Sequence, residues 1–318
     1  MTALLLVGGL ALLLIGGEAL VRGAVAIAQR FNLSPLLVGM VIAGFGTSMP
    51  ELVVSVRATV GGNPAIAAGN VIGSNISNIL LILATAALIR PVGRPPSLFM
   101  PDGIILMVVS IGVVLLGLQG RIPAWQGGVM VLLLAGFIGF QYLRDVRASA
   151  KRRALSEEPP VPLPEELPRR LSVSILLVLA GLGGLIAGGD WFVEGAVKLA
   201  RGLGVTDGLI GLTIVAVGTS LPELATSAIA SIRGQSDLAY GNVLGSNMFN
   251  LLGILGCAAL VGPLEVPRLM VYVDGPVMIG ATALMLYFLA SGTRLVRWEA
   301  AAMISCYAIY VGVRAALS

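Results

Sequence analysis

Two carboxylates, Glu51 and Glu223, each stand inside an apolar run behind the same six-residue frame. The frames are Gly46-Thr47-Ser48-Met49-Pro50-Glu51 and Gly218-Thr219-Ser220-Leu221-Pro222-Glu223. Downstream of each lies a second matching stretch, Gly69-Asn70-Val71-Ile72-Gly73-Ser74-Asn75 then Asn78, and Gly241-Asn242-Val243-Leu244-Gly245-Ser246-Asn247 then Asn250. Every equivalent pair is 172 positions apart. Acidic residues and prolines are costly in hydrocarbon and mark ion or substrate paths when they occur there.

The chemistry follows from the residue types. Pro50 and Pro222 have no N–H to give the preceding turn, so each leaves a backbone carbonyl free in mid-helix. Such backbone is tolerated at membrane depth only when buried in protein or lining a wet cavity. Thr47, Ser48, Thr219 and Ser220 add hydroxyl oxygens. Ser74 with Asn78, and Ser246 with Asn250, are spaced i, i+4, so each pair shares a helix face and adds neutral oxygens. No Lys or Arg lies deep in either frame; Arg57 and Arg233 fall at helix ends. Two unpaired carboxylates side by side repel, and one takes up a proton or a cation. An all-oxygen cage of this kind suits hard cations such as Ca²⁺, and Na⁺ by the same logic. Soft metals want Cys or His; the chain has no His and only Cys257 and Cys306, which read as small buried hydrophobes.

The elements that position these groups are membrane spans. The chain is 57% hydrophobic and 11% charged over 318 residues, with 42 glycines. Apolar runs of the length that crosses a bilayer, about 17–25 residues, recur throughout. Ten spans are expected near 3–28, 35–60, 65–89, 102–119, 124–143, 171–200, 207–232, 238–261, 270–291 and 298–316. The first reads as a retained helix and not a signal peptide, because it lacks a basic leader and a cleavage site. The net charge of +4 sits in short loops and does not suggest nucleic acid.

Arg144, Arg147, Lys151, Arg152, Arg153, Arg169 and Arg170 bunch between the fifth and sixth spans. The positive-inside rule places that loop in the cytoplasm and both termini outside. The two frames are five crossings apart, an odd number, so the halves are expected to be inverted repeats. Residues 1–143 form one five-helix half and 171–318 the other, with 144–170, rich in proline, as a cytoplasmic linker. Gly16-Gly17-Glu18 and Gly188-Gly189-Asp190 extend the repeat. Glu18 and Asp190 read as packing or gating residues, and Glu18 pairs with Arg22 at i, i+4. Asn70, Asn75, Asn242 and Asn247 read as helix caps or interhelical hydrogen-bonders. Gly69, Gly73, Gly241 and Gly245 read as close-approach positions. Asp102, Asp237 and Asp274 read as loop or helix-end residues.

At GFGTSMPELVVS with GNVIGSNISN, and AVGTSLPELATS with GNVLGSNMFN, the chain closely resembles the Ca²⁺/cation antiporter superfamily, the sodium/calcium exchangers of prokaryotic type. The resemblance covers essentially the whole chain. It implies an all-α polytopic fold of ten helices in two inverted halves, with broken helices at the ion site. It implies Ca²⁺ between Glu51 and Glu223, with the carbonyls of Thr47 and Thr219 assisting. It implies Na⁺ sites from Ser48, Ser74, Ser220 and Ser246, with Asn78 nearby, and spans one and six sliding against the rest. Asn250 stands where relatives often carry Asp, which points away from potassium coupling. The long regulatory loop of animal exchangers is absent. The expected function is Na⁺/Ca²⁺ antiport without a cofactor, in a prokaryotic inner membrane, with lipid and the two ions as partners. Ca²⁺/H⁺ antiport on the same scaffold remains open at this point, as does a cation channel; an enzyme does not fit, since nothing else catalytic accompanies the acids.

Overall fold

A computed structural model describes residues 1–93, 99–155, 168, 170–203, 216–291 and 294–317. The described chain is almost entirely helical. Helix α1 (Thr2–Phe31) ends where Asn32 turns left-handed, at φ 55° and ψ 36°, a conformation asparagine tolerates better than most residues. Ser34 then caps the next helix, accepting from the Leu37 N–H at 3.1 Å, with Pro35 in the first turn. The second span is broken. Helix α2 (Pro35–Thr47) and helix α3 (Met49–Val60) meet at Ser48 with a 43° bend. Pro50 sits in the first turn of α3, where its missing N–H costs nothing.

Helices α4 (Pro64–Ile89), α5 (Phe99–Gly117) and α6 (Ala124–Leu155) complete the first half. The second half has α7 (Leu171–Gly202), a short turn at Ala216–Gly218, α8 (Leu221–Ile232), α9 (Ser236–Val261), α10 (Met270–Ser291) and α11 (Arg297–Leu317). Among the described residues seven helices are long and apolar enough to cross a membrane, or eight if α2 and α3 form one span. Two shorter apolar helices, Pro101–Gly117 within α5 and α8, lie between them in sequence. The start of the seventh expected span, 207–215, falls outside the described residues. Helix α6 runs on to Leu155, past the start of the expected linker at 144, because the Ala, Arg, Lys and Leu of 144–155 are strong helix formers even where the chain turns polar.

Among the described residues, four short strands tie the halves together. Strands β1 (Val92–Gly93) and β4 (Arg294–Leu295) pair antiparallel, as do β2 (Arg121–Ile122) and β3 (Leu264–Glu265). The 172-residue offset maps β1 onto β3, and β2 onto β4 to within one residue. Each sheet therefore joins one strand from each half, in opposite roles.

The core lies where α2, α4 and α9 cross. A Cβ on Gly44 would stand 2.7 Å from the Ser246 nitrogen, and one on Gly245 would overlap the Met40 carbonyl oxygen. Backbone meets backbone here because glycine leaves room. Helix α9 is almost wholly inside, whereas Leu132 on α6 is 73% exposed and Ile309 on α11 is 66% exposed. Apolar side chains on the rim and polar ones in the middle invert the soluble pattern and fit a lipid surround.

Candidate cation site

Both glutamates fall in the first turn of a half-helix, Glu51 in α3 and Glu223 in α8. The free N–H groups and positive dipole end of each half-helix favour a carboxylate there. Both are buried, at 1% exposure. Each is held by the serine of the opposite half: Ser48 Oγ donates to Glu223 Oε1 at 2.7 Å, and Ser220 Oγ to Glu51 Oε1 at 3.4 Å. The other carboxylate oxygens, Glu51 Oε2 and Glu223 Oε2, have no partner among the described residues. None of the ion pairs among the described residues reaches either glutamate.

Asparagines brace the half-helices in matching fashion. Asn70 Nδ2 donates to the Glu51 carbonyl at 3.3 Å and to Ser55 Oγ at 3.0 Å. Asn242 Nδ2 donates to the Glu223 carbonyl at 3.3 Å and to Ser227 Oγ at 2.9 Å. These are the interhelical bonds expected of Asn70 and Asn242. Asn75 and Asn247 instead donate within their own helices, to Val71 and Val243 carbonyls, both at 2.8 Å.

Other polar groups converge on the same place. Thr47 Oγ1 donates to the Ala43 carbonyl at 2.9 Å, with Asn242 Oδ1 at 3.4 Å, while Thr219 Oγ1 has no partner among the described residues. Ser246 Oγ donates to the Gly44 carbonyl at 3.2 Å, and Ser74 lines a cavity. Asn78 and Asn250 are each 1% exposed, with both amide atoms unpartnered among the described residues. They sit in π-helical turns, Asn78–Leu83 and Phe249–Ile254, a distortion that recurs at functional sites. An unpaired buried polar atom costs about 1–3 kcal/mol, and several gather here. Among the described residues no group of three or more His, Cys, Asp or Glu gathers anywhere. Two carboxylates and neutral oxygens are thus the chemistry on offer, which suits a hard cation.

Among the described residues, two cavities lie beside Thr219 on the side of the molecule where α7 meets the N-terminal end of α1 and α11 nears the C-terminus. One, of about 340 Å³, is lined by Asn70, Ser74, Thr219, Asp274 and Arg314. The other, of about 310 Å³, is lined by Pro50, Asp190, Glu194, Thr219 and Pro222. On the opposite face the void beside Ser34, Met40, Asp102 and Gln141 is only about 10 Å³. Neither of the larger cavities is lined by Glu51 or Glu223, which stay buried beneath them.

Several side chains depart from expectation. Asp102 starts α5 as a helix-end residue, yet it is fully buried, paired with Arg144 and accepting from Gln141 Nε2 at 2.6 Å. Arg144, at the start of the expected linker, thus packs against α5. Asp274, 172 positions on, lies inside α10, is also buried, and pairs with Arg314 at 2.9 Å and Tyr310 at 2.9 Å. Glu18 pairs with Arg22 as expected, and also with Arg233. Cys257 is half-buried and Cys306 exposed, so neither is the fully buried residue expected. Sequence reasoning passed over Ser55 and Ser227, although the 172-residue offset relates them.

A broken span and two acids buried among apolar helices mark a polytopic, helical membrane protein. Comparison with known proteins supplies the family. The profile described as "Sodium/calcium exchanger protein" matches residues 1–143 and 173–316. The chain is 38% identical over 288 residues to the putative antiporter CaxA of Alkalimonas amylolytica, covering 89% of this chain and 88% of that one. It is 29% identical to the sodium/calcium exchanger MaX1 of Methanosarcina acetivorans, covering 98% and 97%. A solved structure of the sodium-calcium exchanger NCX_Mj, soaked without Na⁺ and Ca²⁺, superposes with a TM-score of 0.84 at 28% identity, covering 100% and 99%. The chain belongs to the sodium/calcium exchanger family: it is a cation antiporter of that type, not an enzyme.

Proposed function

We propose that this chain exchanges Ca²⁺ for Na⁺ across a prokaryotic inner membrane by alternating access at the Glu51–Glu223 site. The observation that carries the reading is the reciprocal cross-link of the two glutamates by Ser48 and Ser220, with one oxygen of each carboxylate left unpartnered. Ca²⁺ takes the two free carboxylate oxygens, with Thr47 and Thr219 assisting. Na⁺ ions use Ser48, Ser74, Ser220 and Ser246 around the same glutamates, with Asn78 and Asn250 closing the set.

The architecture in this reading is ten crossings in two inverted halves, 1–143 and 171–318, joined through 144–170. The paired strands support it, since each sheet joins a loop of one half to a loop of the other on a common side. The basic α6 end lies in the cytoplasm and the termini outside. The two cavities then open outward, and the form described is outward-facing.

Exchange follows from charge. Burying a carboxylate at a helix centre costs about 2.5–3.5 kcal/mol on insertion scales. An empty site would carry two such charges through the occluded state and cross poorly. Ca²⁺ or several Na⁺ neutralise it, so net transport requires a counter-ion. The test is Ca²⁺ flux into vesicles under imposed Na⁺ or pH gradients. Dependence on Na⁺ at fixed pH supports the reading, and flux driven by pH alone moves the chain to proton coupling.

A further inference from the structure

Helices α1 and α7 form a two-helix blade. A Cβ on Gly181 of α7 would stand 2.5 Å from the Leu20 nitrogen of α1, and one on Gly16 would stand 2.8 Å from the Gly181 carbonyl oxygen. Leu13, Leu20, Val178 and Leu185 make a small apolar cluster with Ala43, apart from the main core. One strong polar tie joins this blade to the helix that carries Glu223. Arg233, just past the end of α8, donates through Nε and Nη2 to the two oxygens of Glu18 at 2.9 and 2.6 Å. This bidentate arrangement fixes geometry as well as charge. Arg22, one turn along α1, supports the same carboxylate.

The repeat has no second copy of this tie. Asp190 is the counterpart of Glu18 at the 172-residue offset; it lines the 310 Å³ cavity and makes no hydrogen bond or ion pair among the described residues. Gly61 stands where the counterpart of Arg233 would be. On the outward-facing reading above, the engaged acid is on the shut face, and the unengaged acid lines the cavity on the open one.

We propose that Glu18 and Arg233 form the lock of the shut face. The pair holds the α1–α7 blade against α8 while the site is open toward the termini, and it breaks when the blade moves. The proposal rests on the alternating-access reading above. With Gly61 in place of a cation, the reverse state has no equivalent lock, so the resting equilibrium leans toward the form described here.

The test separates a lock from a static anchor. Unlocking lowers the fraction of molecules competent to bind from the terminus side, and apparent affinity falls by that same fraction. Glu18→Gln and Arg233→Gln are each expected to raise the half-saturating Ca²⁺ concentration at the terminus-bearing face by at least about threefold. At the opposite face the same variants lower it. The double variant costs less than the sum of the two single ones, because the Glu18–Arg233 bond is shared between them. In parallel, spin labels at Leu14→Cys and Ile232→Cys, in a Cys257→Ala/Cys306→Ala background, report the α1–α8 distance; both native side chains are exposed. The lock predicts a narrow distribution that broadens in Glu18→Gln. An unchanged ratio of half-saturation at the two faces, additive single effects, or an unchanged distance distribution would overturn it. Wild-type vesicles without Na⁺-coupled Ca²⁺ flux would sink the function reading instead, and the spin-label arm tests the lock without any transport.

Discussion

Ser48 donates to Glu223 across the boundary between the halves at 2.7 Å, while the equivalent bond from Ser220 to Glu51 is stretched to 3.4 Å. The two bonds are chemically identical, so the difference is conformational. It goes with the cavities among the described residues, which are lined by Thr219 and Pro222 and not by Thr47. The half-site beside the cavities is the looser one.

That asymmetry predicts unequal serine variants. A hydrogen bond to a charged group contributes about 1.5–3 kcal/mol. Ser48→Ala is expected to weaken Ca²⁺ binding by roughly tenfold or more. Ser220→Ala, losing a longer bond, should have a smaller effect. Calorimetric Ca²⁺ titration of the Na⁺-free protein in detergent measures both, and equal losses would contradict the asymmetry.

Removing either glutamate charge should cost more. Glu51→Gln or Glu223→Gln keeps size and hydrogen bonding but halves the charge facing the cation. A loss of about 3 kcal/mol or more, over a hundredfold in affinity, is expected without loss of fold. Binding isotherms alongside an unchanged circular dichroism melt check both parts.

The Asp102–Arg144 pair predicts a stability effect away from the site. Breaking a buried pair from one side leaves an uncompensated charge, at about 3–5 kcal/mol. Arg144→Met should therefore lower the melting temperature sharply. Asp102→Asn/Arg144→Met should recover much of it, because no charge is then stranded. A double variant as unstable as Arg144→Met would rule out the ion pair as the cause.

Acid should inhibit exchange. The chain has no histidine, so the titrating groups near the path are carboxylates. Protonation removes negative charge that Ca²⁺ needs, so flux falls as pH falls, and added Ca²⁺ offsets the fall. Initial rates across pH at two Ca²⁺ concentrations check the competition.

Much of this was legible in the sequence, because two copies of one motif are easier to read than one. The offset of 172 identified Glu51 with Glu223 and Asn70 with Asn242 before any geometry. It also relates Asp102 to Asp274 and Ser55 to Ser227, and those signals were passed over. An Asp at the start of a helix resembles a solvated cap, and burial by a partner 42 residues away leaves no local trace. The continuation of α6 to Leu155 was hidden for another reason: hydropathy marks where a helix leaves hydrocarbon, not where it ends. The strands were too short for a periodic pattern.

The central claim is that Glu51 and Glu223 bind Ca²⁺ in exchange for Na⁺. It is tested most directly by ⁴⁵Ca²⁺ uptake into proteoliposomes loaded with Na⁺ and diluted into Na⁺-free buffer at constant pH, wild type beside Glu51→Gln. Uptake that requires internal Na⁺ and vanishes in the variant is the predicted result. Undiminished uptake by Glu51→Gln, or uptake indifferent to internal Na⁺, would contradict it.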